Sequence, residues 1–169
     1  MRPLSIPMLA VVLLVSGVIG AALSAAVASS GAAVPVAGWL SGIVLLALAG
    51  VLLALGLPMR RYLRESEERR LTPTLAPRRH QLDLPTAYRT ILLARSAAIT
   101  GAIVAGLFAG QALHLAGPGG GDLVRAILPT AFAALGGLVL GIVGIIVERW
   151  GTLPPEDGGS AADTEGTTA

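Results

Sequence analysis

Residues 3–59 read PLSIPMLAVVLLVSGVIGAALSAAVASSGAAVPVAGWLSGIVLLALAGVLLALGLPM, and not one of these side chains is charged. A hydrocarbon core about 30 Å thick is crossed by roughly 20 helical residues, so this run holds two crossings. Ser29-Ser30-Gly31 and Pro35 divide it into a first segment near residues 7–28 and a second near 37–57. A polar stretch, Arg60 to Arg89, follows. Two further apolar segments lie beyond it, near 88–115 and 123–148, joined by Gly117-Pro118-Gly119-Gly120-Gly121. Backbone polar groups in lipid must be satisfied within the spanning segment, and these aliphatic runs do not alternate, so they suit helices rather than barrel strands. The predicted fold is all-α, a polytopic membrane protein with four transmembrane helices in two antiparallel hairpins.

Composition agrees with this. Of the 169 residues, 54% are hydrophobic and 13% are charged, against about 25% charged in a soluble domain. That excludes a disordered chain and an ordinary soluble domain, and the absence of Cys excludes a disulfide scaffold. Residues 1–150 read as one transmembrane domain. Residues 151–169 form an acidic tail, with Glu156, Asp157, Asp163 and Glu165, that is too polar to fold alone.

The arginines orient the chain. Arg60, Arg61, Arg64, Arg69, Arg70, Arg78, Arg79 and Arg89 all fall between the second and third segments, while the other connections carry only Asp122 and Arg125. The positive-inside rule places this loop, residues 59–89, and both termini in the cytoplasm. With Glu65, Glu67, Glu68 and Asp83 the loop has a net charge of +4, which attracts anionic lipid headgroups. Its Arg60–Arg70 portion continues the second helix, with Arg61–Glu65, Arg64–Glu68 and Glu65–Arg69 at i,i+4. Pro73 and Pro77 end that helix, and Leu82-Asp83-Leu84-Pro85 starts the third. Nucleic acid is not an expected partner, since only Tyr62 interleaves these charges. Ala26-Val27-Ala28 leaves a second reading open for the first segment, a cleaved signal peptide, although its apolar stretch is longer than the usual h-region.

Small residues let membrane helices approach closely. In segment three, Arg95, Ala98, Ala102, Gly106 and Gly110 share one stripe at about 100° per residue. In segment four, Ala133, Gly137, Gly141, Gly144 and Glu148 do the same. The two stripes are expected to face each other, leaving Leu107 and Leu138 toward lipid. Arg95 and Glu148 are then expected to pair near the cytoplasmic end, as a structural or functional ion pair, because an intramembrane charge needs a partner or a route to the headgroups. Gly42, Ala49 and Gly56 on segment two, and Ser16, Gly20 and Ser24 on segment one, offer further packing faces. His114 and Gln111 read as polar residues of the outer interface, and Asp122 and Arg125 as a helix cap and an interface anchor.

The stretch QLDLPTAYRTILLARSAAITGAIVAGLFAG (81–110) and the later ERWGTLPPEDG (148–158) resemble the actinobacterial membrane family called Domain of Unknown Function 3180. The likeness runs through Pro155. It implies a four-helix inner-membrane protein, with Leu82-Asp83 opening helix three, Arg95 as the basic residue within it, and Glu148-Arg149 closing helix four. It implies no chemistry.

The residues themselves point to no catalytic, cofactor or metal site. There is no Cys, no HExxH, no Gly-rich phosphate loop and no close His–carboxylate cluster. A non-enzymatic structural or accessory membrane protein is the first expectation, acting as a homo-oligomer or with a membrane partner. The alternative is a small transporter or channel subunit working as an oligomer, although no helix has an acidic residue in its central half.

Overall fold

A computed structural model describes residues 5–71, 84–118 and 122–151. The elements are α1 (Ile6–Ser29), α2 (Trp39–Leu71), α3 (Leu84–Ala116) and α4 (Leu128–Gly151), with a π-helical turn over Leu123–Ile127 leading into α4. No strand occurs among the described residues. All four helices are long and apolar enough to cross a membrane, so the chain is a multi-pass membrane protein. The tail beyond Gly151, the Leu82-Asp83 start, Pro73, Pro77 and the Gly119–Gly121 part of the turn between the third and fourth helices lie outside the described residues. The side chains of the expected 61–69 ion pairs do too, apart from Arg61.

The ends of these helices follow from local chemistry. Pro7 sits in the first turn of α1, where its missing N–H costs nothing. Gly31, past the other end, is in the left-handed region at φ 75°, a conformation glycine adopts without a Cβ penalty. Asp122 caps the next helix start, its Oδ1 accepting from the N–H groups of Val124 at 3.0 Å and Arg125 at 2.8 Å, as expected of an N-cap carboxylate. The ladder then runs one residue wide, Ile127 N donating to Asp122 O at 3.1 Å. It meets Pro129, which has no N–H to donate. Within α2 the span is followed by Pro58, and the helix continues through it to Leu71.

Packing is organised around α3 and α4. The most apolar windows of these two helices are 33% and 44% buried, against 17% for α1 and 22% for α2. The centre is therefore the α3/α4 pair, with α1 on α3 and α2 on α4. Among the described residues α1 and α2 do not touch, so the expected first hairpin is not a packed pair. The reason lies in which faces are small: the glycines of α1 match those of α3, and the glycines of α2 match residues on α4.

The directions can be read from the contacts. A Cβ on Gly144 would meet Ala94 and Ala98, and one on Gly137 would meet Gly101 and Ala105. Rising numbers on one helix meet falling numbers on the other, so α3 and α4 are antiparallel. Gly106 lies against Leu13, Ser16 and Gly17, and Gly110 against Gly17 and Ala21, so α1 and α3 are parallel. Gly42 faces Phe132 and Gly56 faces Val147 and Trp150, so α2 and α4 are parallel too. In space the order is α1–α3–α4–α2.

Candidate functional site

The seam between α3 and α4 is a contact of backbone with backbone. On α4 it uses the expected residues. A Cβ on Gly144 would stand 2.6 Å from Ala98 N and 2.7 Å from Ala94 O, and one on Gly137 would stand 2.8 Å from Ala105 N. Gly141 has more room, with 3.5 Å to the nearest backbone atoms of Ala98 and Ala102. Ala133 is fully buried on the same stripe. On α3, however, the seam is built by Ala94, Ala98, Gly101 and Ala105. Ala102 lies at its border, buried with Leu9 of α1.

Gly106 and Gly110 do not face α4, contrary to the expected stripe. They face α1, and their added Cβ atoms would strike backbone of Leu13 and Gly17. Leu107 is half-buried: Gly20 of α1 packs on its backbone, and it helps wall a groove at this end of the bundle. Small residues cover a wide arc of α3, and about 100° per residue puts Gly101 and Ala105 roughly a quarter-turn or more from Gly106 and Gly110. The arc serves two neighbours. The small-xxx-small pair Gly101/Ala105 carried the missing signal, and the GxxxG pair masked it.

The ionisable residues separate for the same reason. Glu148 is buried, at 5% exposure, on the α4 face toward α3. One turn beyond Gly144, it continues the α4 face that meets Ala94 and Ala98, and Thr90, one turn before Ala94 on α3, is buried as well, at 6%. Glu148, Thr90 and Arg149 each hold an interaction of their own. Arg95 is half-buried on the side of α3 toward α1. Among the described residues no ion pair joins it to Glu148, so the structure does not bring the two together. At the same end of the bundle the Arg60 guanidinium stands 5.4 Å from the centre of the Trp150 ring, a cation–π contact. Arg61, Arg89 and Arg149 are exposed there.

The opposite end of the bundle holds a further set of polar groups. Gln111 is buried, and its Nε2 donates to Pro35 O, tying the connection between α1 and α2 down onto α3. Beside it lies a groove of about 410 Å³ walled by Ser24, Val27, Pro35, Leu107 and Phe108. Trp39 of α2 meets Phe132 of α4 with ring centres 5.5 Å apart. His114 is half-buried, and its Nε2 has no hydrogen-bond partner. Among the described residues no three metal-binding side chains converge.

A family described as "Protein of unknown function (DUF3180)" matches residues 9–155. The chain belongs to this family. The match takes in α1 from Leu9 onward and the whole of α2, α3 and α4. No curated protein and no solved structure matches the chain. Family membership therefore accompanies the four-helix architecture, and the chemistry must be argued from the side chains.

Proposed function

We propose that this is a non-enzymatic accessory protein of the bacterial cytoplasmic membrane, acting through lipid and a membrane partner rather than by passing solute through its own bundle. One observation carries this reading. The α3/α4 seam is closed by backbone contact from Gly144 to Gly137, which leaves no room for water or ions along the centre. The hydroxyls near the seams are occupied as well, Ser24 Oγ donating to Gly20 O at 2.9 Å and Thr130 Oγ1 to Ala126 O at 2.7 Å.

The orientation belongs to the same proposal: both termini and the Arg-rich 59–89 segment are cytoplasmic. The exposed Arg61, Arg89 and Arg149 cluster at the ends of α2, α3 and α4 then faces anionic headgroups. A retained first helix is part of it too, because α1 supplies the surface that covers Gly106 and Gly110. Both outer helices are covered on one side only, which leaves their remaining faces to lipid, a second copy or another membrane protein.

Proteoliposomes containing the full chain test this reading. They should pass protons and monovalent ions no faster than protein-free vesicles. A protein-dependent, saturable flux would overturn it in favour of the small transporter or channel subunit.

A further inference from the structure

The groove beside Gln111 is one that the bundle does not close by itself. One wall is α1, through Leu23 and Val27, and the floor is α3, through Leu107 and Phe108. Residues 34–37, tied to α3 by Gln111, line its end. A second groove of about 370 Å³ shares Phe108 with the first and is walled by Leu40, Val44 and Leu45 of α2. The two lie between α1 and α2, which do not touch among the described residues. Both walls are pinned. Gly17 and Gly20 hold α1 on the backbone of α3, and Gly42 holds α2 against Phe132 of α4. An unfilled gap forfeits the dispersion contacts of its lining, so the surrounding membrane has to supply what fills this one.

The lining chemistry selects the occupant. Only Ser24, Ser41 and Gln111 are polar among the side chains around the two grooves. Of these, Ser24 Oγ and Gln111 Nε2 already donate to the carbonyls of Gly20 and Pro35. A charged ligand therefore finds no counterpart here. A helix of another chain fits poorly too. Membrane helices close on one another through small residues, and Gly20, Ser24 and Ala37 are already buried within the bundle. The free walls are mostly Leu, Val and Phe, and a straight rod lying along the groove would run into the connection at 34–37. A flexible hydrocarbon chain meets neither obstacle, since it conforms to branched walls and ends beneath the connection.

We propose that the groove seats one acyl chain of a membrane phospholipid, held against Phe108 between α1 and α2. The seat recognises hydrocarbon and not the headgroup. It deepens the lipid part of the function proposed above and rests on that reading only for the protein's acting through lipid. A solute flux would overturn that reading and leave the groove untouched, so the two fail separately.

Photolabelling of the full chain tests the seat, in phosphatidylcholine nanodiscs with a trace of phosphatidylcholine bearing a diazirine midway along one acyl chain. Phe108 is half-buried and Val18 of α1 is 71% exposed, so contact with bulk lipid alone would label Val18 more. The seat predicts the reverse, with Phe108 labelled about threefold more than Val18. Leu23→Trp and Val44→Trp fill the grooves from positions that are 58% and 49% exposed. Each should lower labelling at Phe108 about threefold and leave Val18 unchanged. A phosphatidylglycerol carrying the same diazirine chain should give the same pattern. Labelling at Phe108 no greater than at Val18, or unaffected by both tryptophans, would overturn the seat. So would a crosslink between two copies from p-benzoylphenylalanine placed at Val44 in native membranes, which would assign the groove to a second chain.

Discussion

Gly144→Leu and Gly101→Leu should each prevent assembly of a stable bundle, whereas Gly50→Leu should be tolerated. A Cβ on Gly101 would stand 2.7 Å from Gly137 O and from Gly141 Cα, and one on Gly144 would stand 2.6 Å from Ala98 N. These neighbours are backbone on a facing helix and cannot rotate away, so the two central helices would have to separate. Overpacking a well-packed core costs about 1–3 kcal/mol and occasionally more. Between membrane helices close packing is itself a main attraction, so its loss is not offset elsewhere. Gly50 is exposed on α2, and an added Cβ there meets nothing within 4 Å. Gly110→Leu should act differently, prying α1 from α3 while the α3/α4 seam survives. The monodisperse fraction in mild detergent and the melting temperature of each variant check this. Similar losses at Gly50 and Gly144 would contradict the seam.

The second large effect is one of sidedness. With eight arginines on the 59–89 connection and none between the first two spans, a C-terminal alkaline phosphatase fusion should be inactive and a C-terminal fluorescent-protein fusion bright. A phosphatase inserted after Gly31, in the connection between α1 and α2, should be active. Because phosphatase folds only outside the cytoplasm, the expected contrast is close to all-or-none. The opposite pattern would invert the orientation.

The spans were the easiest part to read, because absence of charge over 57 residues is a property of the run itself. The packing was half legible. On α4 the expected stripe of Ala133, Gly137, Gly141 and Gly144 is the surface that α3 meets. On α3 the spacing of Gly106 and Gly110 identified a face able to pack closely, but periodicity carries no information on which helix will occupy it. α1 took that face, and Ala94, Ala98, Gly101 and Ala105 took the seam. Arg95 followed its stripe toward α1 and away from Glu148, which is why the expected ion pair does not form. Gln111 illustrates a different limit. It read as an interfacial polar residue, yet it holds Pro35 across 76 positions of the chain, and no local pattern encodes such a contact.

The arrangement α1–α3–α4–α2 is the claim on which the closed α3/α4 seam and the reading drawn from it depend. The chain has no native cysteine, so introduced pairs report on it directly in native membranes. Oxidation should link Leu9→Cys to Ala102→Cys, which are buried together between α1 and α3, and Leu45→Cys to Gly136→Cys, where a Cβ on Gly136 would stand 3.1 Å from Leu45 Cβ between α2 and α4. Val15→Cys with Ile43→Cys, exposed positions on α1 and α2 at matching depth, should stay reduced. A disulfide joining Val15→Cys to Ile43→Cys within one chain, with none in the other two pairs, would contradict the arrangement and restore a packed first hairpin.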